Sequence, residues 1–181
     1  TMGTLADIVR QGKALYVGLS NYSKQEAEKA VLLLKDMGVH CLIEQPRYNM
    51  FERTPEDGLF KAMWEHGVGC ICYSPLAQGA LTDKYLNGIP QGSRASRVGT
   101  TINDRYLSEE KLDQIRRLNE IAVSRNQSLA QMALAWVLRE KAVTSVLIGA
   151  SSVRQLENSV QCLDHLEFSA DELKAIDEIL K

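Results

Sequence analysis

The chain has little that would mark a nucleic-acid, membrane or metal protein. Its 21 Lys and Arg stand against 23 Asp and Glu, a net charge of -2, and its pI is near 5.9. It carries no basic footprint for nucleic acid or for an anionic membrane surface, so a small or uncharged ligand suits it better. No apolar stretch approaches the roughly 20 residues that span a bilayer. The first residues do not resemble a charged, apolar and cleavable signal segment, and the expected compartment is cytoplasmic. The four cysteines, Cys41, Cys70, Cys72 and Cys162, lack the paired spacing of a zinc site and are expected to be buried thiols. His40, His66 and His165 stand alone, with no second ligand or nucleophile at a suggestive spacing. No linker or low-complexity run divides the 181 residues, of which 45% are apolar, so the chain fits one domain or part of a larger one.

Four short apolar, β-favouring runs are present, and each stops abruptly at polar or small residues. Residues 15–19 stop at Ser20-Asn21, 42–43 at Gln45, 70–72 at Tyr73-Ser74, and 146–148 at Gly149-Ala150-Ser151. The first three begin about 27 residues apart with a helical stretch between them, the spacing of a repeated βα unit. Parallel strands in a barrel or open α/β sheet are expected, with the ligand where the strands end.

Helical signals fill the intervals. Residues 1–11 carry Leu5, Ile8 and Val9 at helical spacing and stop at Gly12. Ser23 with Glu26, Ser128 with Gln131, Ser152 with Gln155 and Ser169 with Glu172 read as capping boxes, and Ser108 opens a further helix. Thr54-Pro55 predicts an N-cap and a first-turn proline for a helix that closes at Gly67. Four strands and about seven helices follow from this reading. Residues 78–105, rich in Gly, Ser, Thr, Asn and Arg, are expected to form a ligand-covering loop.

No nucleophile beside a base, acid and base pair or metal constellation is arranged for catalysis, so the sequence advertises binding rather than bond breaking. The strongest local signal is 73–85, where an aromatic ring at a strand end precedes backbone amides, a hydroxyl, glycine and a cation. Tyr73 suits stacking on a heterocycle, the amides of 74–79 suit pyrophosphate oxygens, and Lys84 suits neutralisation of their charge. A plain Ser-Pro turn accounts for the same residues. Ser20, Asn21 and Gln45 add hydroxyl and amide groups that match both donor and acceptor of a carboxamide, and capping or turn roles fit them too. Gly149-Ala150-Ser151 delivers a helix N-terminus whose amides attract a phosphate, as in many αβ loops. Arg94 in the long loop and Gln155 in a first helical turn are placed to reach an outlying phosphate or ribose, or simply to face solvent.

Taken in order, residues 12–21, Gln45-Pro46-Arg47-Tyr48-Asn49, 73–85 and Leu147-Ile148-Gly149-Ala150-Ser151 resemble the aldo-keto reductases over essentially the whole chain. Asn87-Gly88-Ile89-Pro90, Ser93-Arg94-Ala95 and residues 133–139 resemble most the branch of the bacterial L-glyceraldehyde 3-phosphate reductases and the potassium channel β subunits. The resemblance implies a (β/α)8 TIM barrel that reduces aldehydes or ketones with NADPH, a tyrosine giving the proton. It implies that Ser20, Asn21 and Gln45 hold the nicotinamide carboxamide and that Tyr73 stacks on its ring. Ser74, Pro75, Leu76, Ala77, Gln78 and Lys84 fall where the family contacts pyrophosphate and ribose. Arg94, Gly149, Ser151 and Gln155 match positions around the adenosine 2'-phosphate and adenine. Asn158 and Ser159 depart from the family's Glu and Asn, and Asn158 retains a carbonyl without the charge.

The family's catalytic Asp, Tyr, Lys and His lie on its first four strands, and no residue here takes those roles. The resemblance therefore implies the C-terminal half of the barrel, from the fifth strand onward, since a complete barrel takes about 250 residues. Such a half is expected to need its N-terminal half or to self-associate. The functions it implies are the cofactor-binding portion of a reductase of small aldehydes, a regulatory module that senses NADPH, or a non-catalytic fragment.

Overall fold

The structure is a computed structural model that describes residues 1–97 and 99–181. The chain folds into two compact units. The first comprises Thr1–Tyr48, Glu52–Tyr73 and Glu140–Leu147, and the second Asn49–Phe51, Ser74–Arg139 and Ile148–Lys181.

The first unit holds the sheet. Its strands β1 (Val17–Ser20), β2 (Cys41–Gln45), β3 (Gly69–Cys72) and β4 (Val143–Val146) lie in the order of the chain. All pairs are parallel, as the repeated βα spacing predicts. Helices α1 (Met2–Arg10), α2 (Lys24–Asp36) and α3 (Leu59–Glu65) pack on β1, β2 and β3. The covered layer buries Val17, Leu19, Cys41, Cys70 and Leu34, while Gly18 and Ser20 stay exposed on the other face. On that open face Gly18 and Gly69 let a neighbouring side chain come closer than a Cβ allows. A Cβ on Gly18 would lie 2.7 Å from Ile43 Cγ1, and one on Gly69 would lie 2.8 Å from Thr144 Oγ1.

α2 forms as its sequence predicts. Ser23 Oγ accepts the Glu26 N–H at 3.4 Å while the Glu26 carboxylate accepts the Ser23 N–H at 2.9 Å. Ala27, Ala30, Val31 and Leu34 then turn one stripe inward. α3 departs from expectation. Thr54-Pro55 builds only a 3₁₀ turn over Thr54–Glu56, and Gly58 at φ +106° breaks the run before Leu59. β1 begins at Val17, because Leu15 and Tyr16 project into solvent, 83% and 64% exposed. β4 ends at Val146 rather than running over 146–148. Val143, Ser145 and Val146 supply the pairing, matched to Cys70, Ile71 and Cys72 with the register slipping past Thr144, and the Leu147 N–H prolongs it, to Cys72 O at 2.8 Å.

The second unit is helical, with α4 (Ile102–Tyr106), α5 (Glu109–Ser124), α6 (Leu129–Leu138), α7 (Val153–Val160) and α8 (Ala170–Leu180). α5 packs against α6 and α8, and α6 against α7. Ile115, Leu118, Met132, Trp136 and Ile176 form the centre of its core. Ser128 with Gln131 and Ser169 with Glu172 make complete capping boxes. At Ser152 only half of the box forms, since Gln155 Oε1 accepts from the N–H and hydroxyl of Ser151 instead. Residues 78–105 are more structured than a plain loop. They include much of the 3₁₀ turn Ala77–Gly79, two further turns at Asp83–Tyr85 and Arg94–Ser96, and most of α4, the helix added to the seven expected. Val98, within that stretch, lies outside the described residues.

The α/β arrangement of four parallel strands joined through helices is that of part of a (β/α)8 barrel. Among the described residues no helix is long and apolar enough to cross a membrane. All four cysteines are buried and unpaired by disulfides.

Candidate functional site

Three strands of the first unit end side by side, and the residues at or just beyond their ends join in one hydrogen-bonded row. β1 stops because Asn21 turns into the left-handed region at φ +58°, a conformation asparagine tolerates better than most side chains. That turn sends the Asn21 N–H back to Gln45 O at 3.3 Å, and Ser20 Oγ donates to the same carbonyl at 3.0 Å. Asn21 Nδ2 donates to Ser20 Oγ at 3.2 Å, and the Tyr73 hydroxyl donates to Asn21 Oδ1 at 3.0 Å. Tyr73 is aligned by backbone pairing beyond the strands proper, its N–H reaching Pro46 O at 3.1 Å and its O accepting from Tyr48 N–H at 3.3 Å.

The structure therefore brings together Ser20, Asn21, Gln45 and Tyr73. It adds Arg47, whose Nε donates to the Tyr73 hydroxyl at 3.2 Å and whose guanidinium carbon lies 5.3 Å from the ring centroid. Glu52 balances the Arg47 charge at 3.4 Å. The sequence signal for Arg47 was its place two residues beyond Gln45, one strand period on, so that it continues the face on which Gln45 stands.

Glu44 was also missed. It is fully buried, accepts the Tyr22 N–H at 3.4 Å through Oε1, and leaves Oε2 buried with no hydrogen-bond partner. Burial pushes its carboxyl up to about 7, against the Tyr22 and Asn21 amides, which pull it down. Burial and the Glu44 charge push the Cys41 thiol up to about 11, and the same causes, with Glu140, push Cys70 up to about 12. Burial with Cys70 and Glu140 also takes Cys72 to about 12. None of these thiols is a nucleophile at neutral pH.

The other sequence-predicted residues lie in the second unit. Ser74, Ala77 and Gln78 all adopt positive φ, +54°, +47° and +60°, so the turn after Tyr73 is held in a conformation that side chains rarely take. Such concentrations of backbone strain are found at ligand-holding turns. Asn49 Nδ2 anchors it at Ser74 O, 3.0 Å away, and Gln78 Nε2 donates to Thr101 Oγ1 at 3.2 Å. The expectation that its amides face a pyrophosphate meets competition at two positions, because the N–H groups of Ala77 and Gly79 already bond Ser74 O and Leu76 O. Pro75 is buried and Leu76 half-buried. Lys84 and Arg94 are exposed, and neither forms an ion pair among the described residues.

Gly149 lies in the irregular segment before α7. Ser151 donates to Gln155 Oε1 through its N–H and hydroxyl, at 2.8 and 3.0 Å, so the Ser151 amide, two residues ahead of α7, is already satisfied. Asn158 is tied to the start of α6, its Oδ1 accepting from Ser128 Oγ at 3.4 Å and its O from Gln131 Nε2 at 3.2 Å.

The row in the first unit has hydrogen-bonding capacity to spare. A primary amide offers two N–H groups and two oxygen lone pairs. Asn21 uses one of each, and the Gln45 side chain makes no hydrogen bond among the described residues. These groups complement a ligand carboxamide, which needs an acceptor and a donor side by side.

Comparison with known proteins accords with this geometry. A family model described as Aldo/keto reductase family matches residues 1–181. The chain is 50% identical to an L-glyceraldehyde 3-phosphate reductase of Escherichia coli (strain K12), over 98% of this chain and 53% of that protein. It is 35% identical to a putative voltage-gated potassium channel subunit beta of Schizosaccharomyces pombe, over 96% of this chain and 52% of that protein. The chain thus spans about half the length of the curated relatives it matches. With a match along its whole length and parallel strands ending in a polar row, the chain belongs to the aldo/keto reductase family.

Proposed function

We propose that this chain is the cofactor-binding portion of an NADPH-dependent reductase that converts a small aldehyde, such as L-glyceraldehyde 3-phosphate, to its alcohol. The observation that carries the proposal is the row Ser20, Asn21, Gln45 and Tyr73, whose spare amide groups fit the nicotinamide carboxamide. In this reading Asn21 and Gln45 orient the carboxamide, and Tyr73, its hydroxyl held by Asn21 and Arg47, offers its ring as the stacking surface. Ser74, Pro75, Leu76, Ala77, Gln78 and Lys84 serve the pyrophosphate and ribose. Arg94, Gly149, Ser151, Gln155 and Asn158 serve the adenosine end. NADPH, when bound, supplies the hydride.

The proton donor and its Asp, Lys and His partners come from an N-terminal half that pairs with this one. β1 and β4 each have one neighbour in the described sheet, so each presents an open edge. Val153, Leu156 and Val160 line one exposed side of α7. Both features suit the N-terminal half or a second copy as cover, and a cytoplasmic setting goes with both. Size-exclusion chromatography is expected to show the chain alone associating, and shifting to a one-to-one complex when the N-terminal half is added. A stable monomer indifferent to that half would remove this part of the proposal.

Titration with NADPH, followed by protein fluorescence, tests the cofactor reading. The chain is expected to saturate, and Tyr73→Ala to bind about tenfold more weakly, from loss of stacking and of the Asn21 anchor. No saturable change in the unaltered chain would reject the cofactor role. The likeness to a channel β subunit favours a second reading, a module that senses NADPH without turnover. Aldehyde-dependent loss of NADPH after addition of the N-terminal half distinguishes the two.

A further inference from the structure

The row at the strand ends rests on a group behind the sheet that the proposed chemistry does not use. Glu44 stands in register with Leu19 of β1 and Cys70 of β3, on the helix-covered face, and it is fully buried. A charged side chain is rarely placed there unless paired. Among the described residues no cation pairs with it, and Oε2 has no partner. What Glu44 does hold is the backbone just past β1, accepting the Tyr22 N–H, with the Asn21 amide the second backbone group acting on it. Asn21 is the residue at φ +58° whose side chain meets Ser20 and Tyr73. A left-handed non-glycine residue persists only where its surroundings hold it.

We propose that Glu44 is a positioning residue for the nicotinamide-facing groups, its carboxylate fixing the 21–22 turn so that Asn21 presents its carboxamide, and its protonation loosening that turn. The proposal rests on the cofactor reading above and adds a proton-linked control of the same site. A hydrogen bond to a charged acceptor is stronger than one to a neutral acceptor, so the neutral acid holds the turn less firmly. The burial that raises the carboxyl to about 7 puts this change within reach of ordinary pH. Among the described residues the thiols of Cys41 and Cys70 feel the Glu44 charge, and, raised to about 11 and about 12, both stay neutral through that range. His40 and His66 precede β2 and β3, at the opposite ends of those strands from the row.

The test uses the whole chain and two measurements. Backbone amide resonances of Asn21 and Tyr22 are followed from about pH 5.5 to 8.5, a window bracketing the raised carboxyl, in the unaltered chain and in Glu44→Gln. NADPH affinity is measured at both ends of the range in both proteins. Both amides are expected to shift with one midpoint near 7 in the unaltered chain and to stay flat in Glu44→Gln. Affinity is expected to fall about tenfold more between high and low pH in the unaltered chain than in the variant. The variant keeps the 2'-phosphate's own titration, so the difference belongs to Glu44. Amides that do not titrate overturn the proposal, and this needs no variant to fold. Titrating amides with an equal affinity change in both proteins overturn the positioning role. If no NADPH binds at any pH, the cofactor reading fails and the positioning role falls with it, while the amide midpoint still reports whether Glu44 holds the turn.

Discussion

Replacing Arg125 by alanine is expected to destabilise the second unit by about 3–5 kcal/mol, the usual effect of breaking a buried charged network from one side. Arg125 caps the C-terminal end of α5, and its side chain is only 1% exposed. Every nitrogen of the guanidinium is engaged. Nη1 reaches Glu172 Oε1 at 2.7 Å, Nε donates to Gln127 Oε1 at 2.9 Å, and Nη2 donates to His165 O and Glu167 O at 3.3 and 2.9 Å. Its carbon also lies 3.8 Å from the centroid of the Phe168 ring. One side chain therefore ties the end of α5 to 165–168 and to the first turn of α8. Alanine leaves Glu167 O and Gln127 Oε1 without the Arg125 donor, while His165 O keeps that of Gln127 Nε2 at 3.1 Å, and it removes the cover of Phe168 and deprives Glu172 of its counter-charge. Lysine keeps the charge but not the planar fork, so Arg125→Lys should lose about half as much.

The same ion pair sets a limit in acid. Burial raises the Glu172 carboxyl, but the Ser169 N–H and Arg125 outweigh it and hold it below the ordinary carboxylate range. A lowered pKa in the folded state means that its stabilisation is present above the unfolded value, near 4.5, and is lost as pH falls through the folded value. Urea unfolding monitored by circular dichroism at neutral pH, at one protein concentration, measures the Arg125 effect. A loss below about 1 kcal/mol would show that the network is no more than a surface pair.

Much of this arrangement was legible in the sequence because the signals were local. A serine that opens a helix three residues before Glu or Gln states its own hydrogen bonds, and α2, α6 and α8 begin where those pairs stand. Ser20, Asn21, Gln45 and Tyr73 were legible because a polar residue ending an apolar parallel strand has few places to go other than the strand-end face. The errors share one cause, that local composition is silent about tertiary support. β4 starts at Val143 and pairs through Val143, Ser145 and Val146 although Thr144-Ser145 reads as polar, because β3 supplies the partner. Gly58 splits the helix expected from Thr54 by adopting a left-handed conformation that its identity allows but does not require. Glu44 stayed invisible because the register slips between Val17 and Gly18, leaving Leu42 partly exposed at the irregularity and turning a carboxylate inward. Alternation along Cys41-Leu42-Ile43-Glu44-Gln45 alone cannot assign those faces.

That inward carboxylate gives the second large expectation, a loss of stability as pH rises from about 4.5 to about 7. In the unfolded chain Glu44 ionises near 4.5, whereas the folded protein keeps it protonated until about 7. Between these values the folded state binds the extra proton, so unfolding free energy falls with increasing pH and levels off above 7. The separation corresponds to about 3 kcal/mol. Glutamine has nearly the same shape, can accept the Tyr22 N–H and does not ionise. Glu44→Gln should therefore be more stable than the unaltered chain by about 3 kcal/mol at pH 8 and by less than about 1 kcal/mol at pH 5. Urea unfolding of both proteins at the two pH values decides it, and an equal difference at both would mean that folding does not raise the Glu44 carboxyl. The sign is opposite to that of Glu172, so acid removes one contribution while it restores the other. A carboxylate that weakens the fold near neutral pH while holding the Asn21 turn does not serve the stability of the sheet, and it fits the binding role proposed above for that turn.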